Sequence, residues 1–339
     1  MTLESIKTKL KESPKTWFLS GCAGFVGSHL LQHLLDCGQR VVGVDNLSTG
    51  SEENLEAVKS LVGYEAFQNF EFRKMDIRDL SQAQGLFVGV DVVLHQAAMA
   101  SVPQSVEFPF AAFENNVLGT EMVFEEARKA SVKKVIYASS SAIYGDNEDP
   151  EKTEKNIGKP LSPYANTKHI NELQAEQISN VFGIPSFGLR YFNVFGVRQS
   201  PNGPYAAVIP AWMQAFTLGQ PVKVYGDGEQ TRDFIHVEDV VKANLLAAIS
   251  QSDQKESHAL NVAGGKAISL LDLHKTMAKA FLEIYPDGKV LEPCFESERS
   301  GDIRHSLGSI EALTKSLDFS HEVSLETGLT EMFRLAKEN

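Results

Sequence analysis

Over residues 17–190, short apolar runs alternate with longer stretches in which apolar residues return every three or four positions. The first kind reads as buried strand and the second as amphipathic helix. Runs at 17–20, 40–45, 69–73, 90–95, 133–138 and 185–190 predict six strands. Helical repeats at 28–35, 109–130 and 161–182 fall between them, the last opened by Pro163, which a first helical turn tolerates. Strands separated by helices pair in parallel and build a sheet covered on both faces. Beyond about residue 195 the alternation loosens into loops at 200–204 and 226–229 and helical stretches at 209–218 and 240–249. The expected class is α/β, a parallel sheet with a smaller C-terminal lobe.

The first strand runs into Gly21-Cys-Ala-Gly24-Phe-Val-Gly27, a helix follows, and the second strand ends on Asp45. A strand, a glycine turn, a helix, a strand and an acid within about 30 residues is the context of a dinucleotide fingerprint, so the sheet is expected to be a Rossmann-type, doubly wound one. Missing side chains let the backbone approach a pyrophosphate, which the helix N-terminus attracts. Asp45 can accept hydrogen bonds from a ribose diol and would repel a 2′-phosphate, which favours NAD over NADP. Asp76 follows the third strand, Gln96-Ala97-Ala98 the fourth and Ser139-Ser140-Ser141 the fifth. Open parallel sheets bind ligands at these strand ends, although small residues and hydroxyls also serve plain turns and caps.

At 339 residues, with 42% hydrophobic and 22% charged residues, the chain can bury a large core. Its net charge of −12 argues against nucleic acid or an anionic membrane as partner. Cys22, Cys37 and Cys294 are widely spaced, as expected of free thiols in a reducing cytoplasm. No apolar run approaches the ~20 residues of a membrane span, and the N-terminus lacks an apolar signal core. His95 and His236 have no second ligand at usable spacing, so no metal is expected. The expected division is a helical extension at 1–15, a cofactor domain at 16–194, and at 195–339 mainly a substrate lobe, with segments returning to the sheet.

The chemistry is expected at Tyr164-Ala-Asn-Thr-Lys168. Residues four apart share a helix face, so the phenol and the ammonium can converge. A phenol near pH ~10 is a poor base in neutral water, and a nearby cation that stabilises the phenolate makes removal of a sugar or alcohol proton feasible.

The set Gly21-x-x-Gly24-x-x-Gly27, His95-Gln-Ala-Ala98, Asn116, Ser140, Tyr164-x-x-x-Lys168, Asn193 and Arg232-Asp-Phe-Ile-His-Val-Glu-Asp239 resembles the extended short-chain dehydrogenase/reductase family. Within it, the match is to NAD-dependent nucleotide-sugar epimerases and covers residue 17 to about 317. Residues 157–168 and Tyr205-Ala-Ala-Val-Ile-Pro-Ala-Trp212 resemble bacterial UDP-N-acetylglucosamine 4-epimerases of polysaccharide biosynthesis. The resemblance implies Tyr164, Lys168 and Ser140 as catalytic residues. Tyr164 would take the O4 proton as hydride leaves C4 for the nicotinamide, Lys168 would lower the phenol pKa and hold the nicotinamide ribose, and Ser140 would bond O4. The 4-keto sugar would swing about its diphosphate and take the hydride back on its other face. NAD contacts are implied at Gly21, Gly24, Phe25, Val26, Gly27, Asp45, Asn46, Asp76, Ile77, Gln96, Ala97, Ala98, Asn116, Ser139, Tyr164, Lys168 and Tyr191. UDP-sugar contacts are implied at Ser101, Ser140, Ser141, Asn193, Ala207, Val208, Trp212, Arg232, Arg299, Asp302 and Ser306. Arg232 and Arg299 suit a diphosphate because guanidinium forks pair with phosphate oxygens, though arginines also form plain surface ion pairs.

Related dehydratases and decarboxylases carry acids just after the serine. Ser141 and Ala142 stand there instead, which argues for epimerisation. In these epimerases a small residue at the position of Ser306 leaves room for an N-acetyl group. The alternatives are a UDP-hexuronic acid epimerase, for which Ser101, Ser105, Ser141 and Arg198 offer donors, a UDP-glucose epimerase, and a non-enzymatic NAD sensor. Sensors usually lack the Tyr/Lys pair or the serine. The family further implies a homodimer through a four-helix interface formed by residues 109–130 and 161–182.

Overall fold

The computed structural model describes residues 1–83, 85–201, 206–251, 256–298 and 303–338. Arg299 and Asp302 lie outside these residues, as does part of the 200–204 loop. Seven parallel strands form the main sheet: β1 (Thr16–Ser20), β2 (Arg40–Asp45), β3 (Phe70–Lys74), β4 (Val92–His95), β5 (Lys134–Ser140), β6 (Ser186–Tyr191) and β10 (Ser257–Val262). Their spatial order is β10-β6-β5-β4-β1-β2-β3, the doubly wound order in which the chain switches direction between β1 and β4. Both faces are covered. In β1, Trp17 and Leu19 point into one apolar core and Phe18 into the other, so the strand reads as an unbroken hydrophobic run.

One residue after β6 the chain leaves this sheet. β7 (Asn193–Phe195) pairs in parallel with β9 (Thr231–His236), which pairs antiparallel with β11 (Ala267–Ser269). β8 (Lys223–Tyr225) and β12 (Cys294–Glu296) make a further parallel pair. Helices Val208–Thr217, Leu270–Ile284 and Leu325–Glu338 cover this side, and their shared core includes Phe195, Trp212, Phe216, Phe281 and Phe333. Asn193 therefore stands at the step between the two sheets.

Helix Leu3–Glu12 buries Ile6 and Leu10 in the main core, and the Gln39 amide donates to the Leu10 carbonyl at 2.9 Å. Among the described residues no helix is long and apolar enough to cross a membrane.

Two elements differ from expectation. The fifth strand continues through Ser140, because Ser139 and Ser140 pair with Arg190 and Tyr191 of β6. The stretch expected as one helix at 109–130 has an α-helical start, Pro109–Phe113, a π-helical turn, Glu114–Leu118, and a second α-helix, Gly119–Lys129. Side chains compete for the carbonyls of this turn: Asn116 O accepts from Thr120 Oγ1 at 2.6 Å and from Asn171 Nδ2 at 2.8 Å. Gly119 faces Ile77 so closely that a Cβ would lie 2.6 Å from Ile77 Cδ1. Such π turns are frequently found at functional sites.

Candidate active site

The end of β1 turns sharply at Gly21, whose φ of 70° suits glycine. A Cβ on Gly27 would lie 2.0 Å from Gly21 O, and one on Gly21 would lie 2.7 Å from Ala97 N. Helix Phe25–Asp36 starts after Gly24 with no side-chain cap, so its first N–H groups face outward at the switch point of the sheet. Asp45 closes the turn, its Oδ2 accepting from Ala23 N at 3.0 Å and its Oδ1 from Leu47 N at 2.8 Å. This uncapped cradle, with a carboxylate at the end of β2, fits an anionic dinucleotide. Phe25 and Val26, half-buried, form its first helical turn.

Helix Pro163–Phe182 carries Tyr164 and Lys168 against the end of β5. Ser162 caps it by accepting from Ala165 N at 3.1 Å, and Gly183 ends it in the left-handed conformation. The Ser140 side chain stands close enough to the Tyr164 hydroxyl to favour its ionised form, while its Oγ accepts from Ala142 N at 3.1 Å. Lys168 Nζ donates to Ala138 O at 2.8 Å and stands 6.0 Å from the Tyr164 ring centre. The three residues expected to carry the chemistry thus meet at one strand end. The electrostatics depart from expectation. Burial raises the Tyr164 pKa, against which the neighbouring Ser140 works, and burial lowers Lys168 from 10.5 to about 8. In the protein alone, Lys168 does not bring the phenol down, because desolvation outweighs a cation held on a backbone carbonyl.

Several expected contact residues are engaged inside the protein. Ser139 Oγ donates to Glu172 Oε1 at 2.6 Å, away from Tyr164. Asp76 is paired with Arg78 at 2.9 Å and also accepts from Asn46 Nδ2 at 2.9 Å; the hydrogen bonds from Arg78 hold its carboxyl below the usual range. Tyr191 OH, Gln96 and Asn244 form a closed network. Asn116 is buried, bonding Met99 N at 2.8 Å and Thr167 Oγ1 at 2.9 Å, and so ties the strand-end loop to the Tyr164 helix. His95, neutral because burial drives it down to about 3, bridges Ser20 and Thr120. Ile77 is buried, Ala97 and Ala98 are half-buried beside the glycine turn, and Ser101 caps helix Val102–Glu107. Ser141 opens the short helix Ser141–Tyr144.

The substrate-side residues surround a cavity of about 490 Å³. Asn193, Ala207, Val208, Trp212 and Arg232 all line it, joined by Gln199, Gln230, Phe195, Lys223 and Tyr225, which the sequence did not single out. Among the described residues Gln199 Oε1 and Gln230 Oε1 are buried there without a partner, acceptors suited to a ligand N–H. Arg232 Nη1 donates to Ile303 O at 2.7 Å. Ser306 is half-buried on the segment that follows and does not line the cavity. Arg198 donates to Gln32 Oε1 at 2.8 Å, on the glycine-loop helix. Ser105, weighed only as a sugar donor, instead accepts from Tyr164 N at 3.0 Å; no local signal could reveal a bond between residues 59 apart.

Residues 17–263 match the model of the NAD dependent epimerase/dehydratase family. The chain belongs to this family. The putative UDP-glucose 4-epimerase of Methanocaldococcus jannaschii is 33% identical, over 95% of this chain and 98% of that protein. A UDP-N-acetylglucosamine 4-epimerase of Methanobrevibacter ruminantium, solved with UDP-N-acetylmuramic acid, is 36% identical with a TM-score of 0.86, covering 96% of this chain and 99% of the other. The UDP-glucose 4-epimerase of Thermotoga maritima, solved with UDP-glucose, is 34% identical with a TM-score of 0.84, covering 95% and 99%. This family member is accordingly an NAD-dependent enzyme whose relatives are isomerases.

Proposed function

We propose that the protein is a UDP-sugar 4-epimerase that interconverts UDP-N-acetylglucosamine and UDP-N-acetylgalactosamine for surface polysaccharide precursors. The observation that carries the reaction type is Tyr164 set beside Ser140 and buried Lys168, with Ser141 and Ala142 rather than acids following Ser140 in the chain. Alanine cannot move a proton, so elimination lacks its acid. The glycine cradle and Asp45 would hold NAD, which supplies a reversible hydride acceptor. Tyr164 takes the O4 proton, Ser140 orients O4, and Lys168, which does not lower the phenol pKa in the protein alone, would hold the nicotinamide ribose. Arg232 and Asn193 would hold the diphosphate and the unpartnered glutamine oxygens the base, with Arg299 and Asp302 as further contacts. A firmly held UDP leaves the 4-keto sugar free to turn over.

The acetamido preference is supported by the resemblance at residues 157–168 and 205–212; Ser306, the small residue expected to leave room for the N-acetyl group, does not line the cavity and adds nothing to it. Arg198, the cation weighed for a uronic acid, is spent on Gln32 and the Ser28 carbonyl, which weakens that reading. Exposed Val106, Phe108 and Phe110, with Leu173, Val181 and Phe182 on the Tyr164 helix, offer an apolar face for a second copy of the chain. We place the dimer in the cytoplasm, where the buried thiols of Cys22 and Cys37 stay reduced. The test is turnover of UDP-GlcNAc, UDP-glucose, UDP-glucuronate and UDP-GlcNAc uronate, with products resolved by chromatography and NMR. Preferential formation of UDP-GalNAc, abolished in Tyr164→Phe, is expected. Preference for another sugar would overturn the substrate, and no turnover with NAD bound would overturn the reaction.

A further inference from the structure

Behind Tyr164 and Lys168 a line of polar groups, buried over most of its length, runs from the Tyr164 helix towards the cavity. Glu172, one turn beyond Lys168, is paired with Arg190 of β6 at 2.8 Å, both buried. Arg190 Nη1 donates to Tyr144 OH at 3.1 Å, and Tyr144 OH donates to Asn261 Oδ1 at 2.5 Å. Asn261 Nδ2 in turn donates to Lys152 O at 2.9 Å and Ser309 O at 3.1 Å. These carbonyls belong to two paired segments, since Lys152 N donates to Leu307 O at 2.8 Å and Ser309 N to Lys152 O at 2.9 Å. The far side of the 303–309 segment is bonded to β9. Gly308 N donates to Asp233 Oδ2 at 3.0 Å, and Ile303 O accepts from Arg232 in the cavity wall at 2.7 Å. Tyr144 OH joins the Arg190 and Asn261 side chains directly, beside a second bridge through Glu154, whose carbonyl accepts from Arg190 Nη1 at 3.1 Å and whose carboxylate accepts from Asn261 N at 2.9 Å.

We propose that Tyr144 is a positioning residue of the reaction, setting the span between the Tyr164 hydroxyl and the cavity wall at Arg232. The proposal rests on the reading of Tyr164 as base and Arg232 as anchor. A sugar that must present both faces to one base cannot itself be gripped. The protein therefore has to hold base and anchor at a fixed separation without using sugar contacts, and misplacement of a fraction of an ångström lowers the rate more than the binding. Tyr144 suits this role: its ring is packed beside Phe192, with centroids 6.2 Å apart, and its hydroxyl is used as both donor and acceptor. Removing only that oxygen spares the rest, because Arg190 keeps Glu172 and the Glu154 carbonyl, and Asn261 keeps Lys152 and Ser309.

The test compares Tyr144→Phe, Asn261→Ala and the double variant as NAD-loaded enzymes. For each, kcat, the dissociation constant of UDP and the thermal midpoint are measured. In Tyr144→Phe, kcat is expected to fall about tenfold. UDP affinity should stay within about twofold, and the double variant should be no slower than Asn261→Ala alone, because both changes cut one path. An unchanged kcat would overturn the proposal. So would a parallel loss of kcat, UDP affinity and thermal midpoint, with multiplying effects in the double variant, since that is the signature of a purely structural role. Undiminished turnover in Tyr164→Phe would remove the base and the proposal with it. A different preferred sugar would leave the Tyr144 comparison intact.

Discussion

Replacing Lys168 by methionine should abolish turnover and yet, at neutral pH, make the NAD-free protein more stable. Lys168 is buried, and its pKa falls from 10.5 to about 8 for lack of solvent. That fall corresponds to a penalty of about 3 kcal/mol on the charged form in the folded state. Methionine fits the same space and carries no charge. Against the gain stands the Ala138 carbonyl, which loses its donor and costs about 1–2 kcal/mol. The net expectation at pH 7 is a variant more stable by about 1–2 kcal/mol. The sign reverses with pH. A lysine whose folded pKa is depressed binds fewer protons folded than unfolded between about 8 and 10.5, so the wild-type protein gains stability through that window. Above it the penalty is gone, and the variant is left with only its unsatisfied carbonyl. Urea unfolding of both proteins at pH 7 and near pH 10.5 reads the difference directly, provided the m-values agree. A variant less stable at both pH values, or a gap that does not move with pH, would refute the reasoning.

Three further outcomes follow from the same geometry. Gly27→Ala places a Cβ 2.0 Å from Gly21 O, and the displaced turn should weaken NAD binding by about 10–100-fold, read as lost cofactor content after purification. Arg232→Met removes charge-assisted bonds to the diphosphate and should raise KM about 10–100-fold with kcat little changed; a drop confined to kcat would contradict its anchoring role. Phe110, 72% exposed, sits on the proposed dimer face, so Phe110→Asp should yield monomers by light scattering while the wild-type protein is dimeric.

The central strands were legible because parallel strands buried on both faces show as unbroken apolar runs, and β1 with Trp17, Phe18 and Leu19 is such a run. The glycine turn and the Tyr164/Lys168 spacing were legible because they are local. What escaped is set by groups distant in sequence. The π turn at Glu114–Leu118 has an ordinary helical composition, and its irregularity depends on Asn171 and Ile77 reaching it from elsewhere. Ser139 reads as a ligand hydroxyl until β6 brings Arg190 and its partner Glu172 beside it. The Asp76–Arg78 pair is the exception. Those residues lie two apart, and a basic residue so near a strand-end acid is a visible sign that the carboxylate is already engaged. The cavity was legible only at motif residues, since Gln199, Lys223 and Gln230 come from separate loops and strands with no shared pattern.

The measurement closest to the central claim follows the hydrogen at C4. UDP-GlcNAc carrying deuterium at C4 would be incubated with the NAD-loaded protein in ordinary water, and product and residual substrate analysed by NMR and mass spectrometry. If Tyr164 moves only the O4 proton while the C4 hydrogen leaves and returns through bound NAD, the product keeps its deuterium in full. Deuterium washed out to solvent would mean that C4 is deprotonated instead, and would contradict the account.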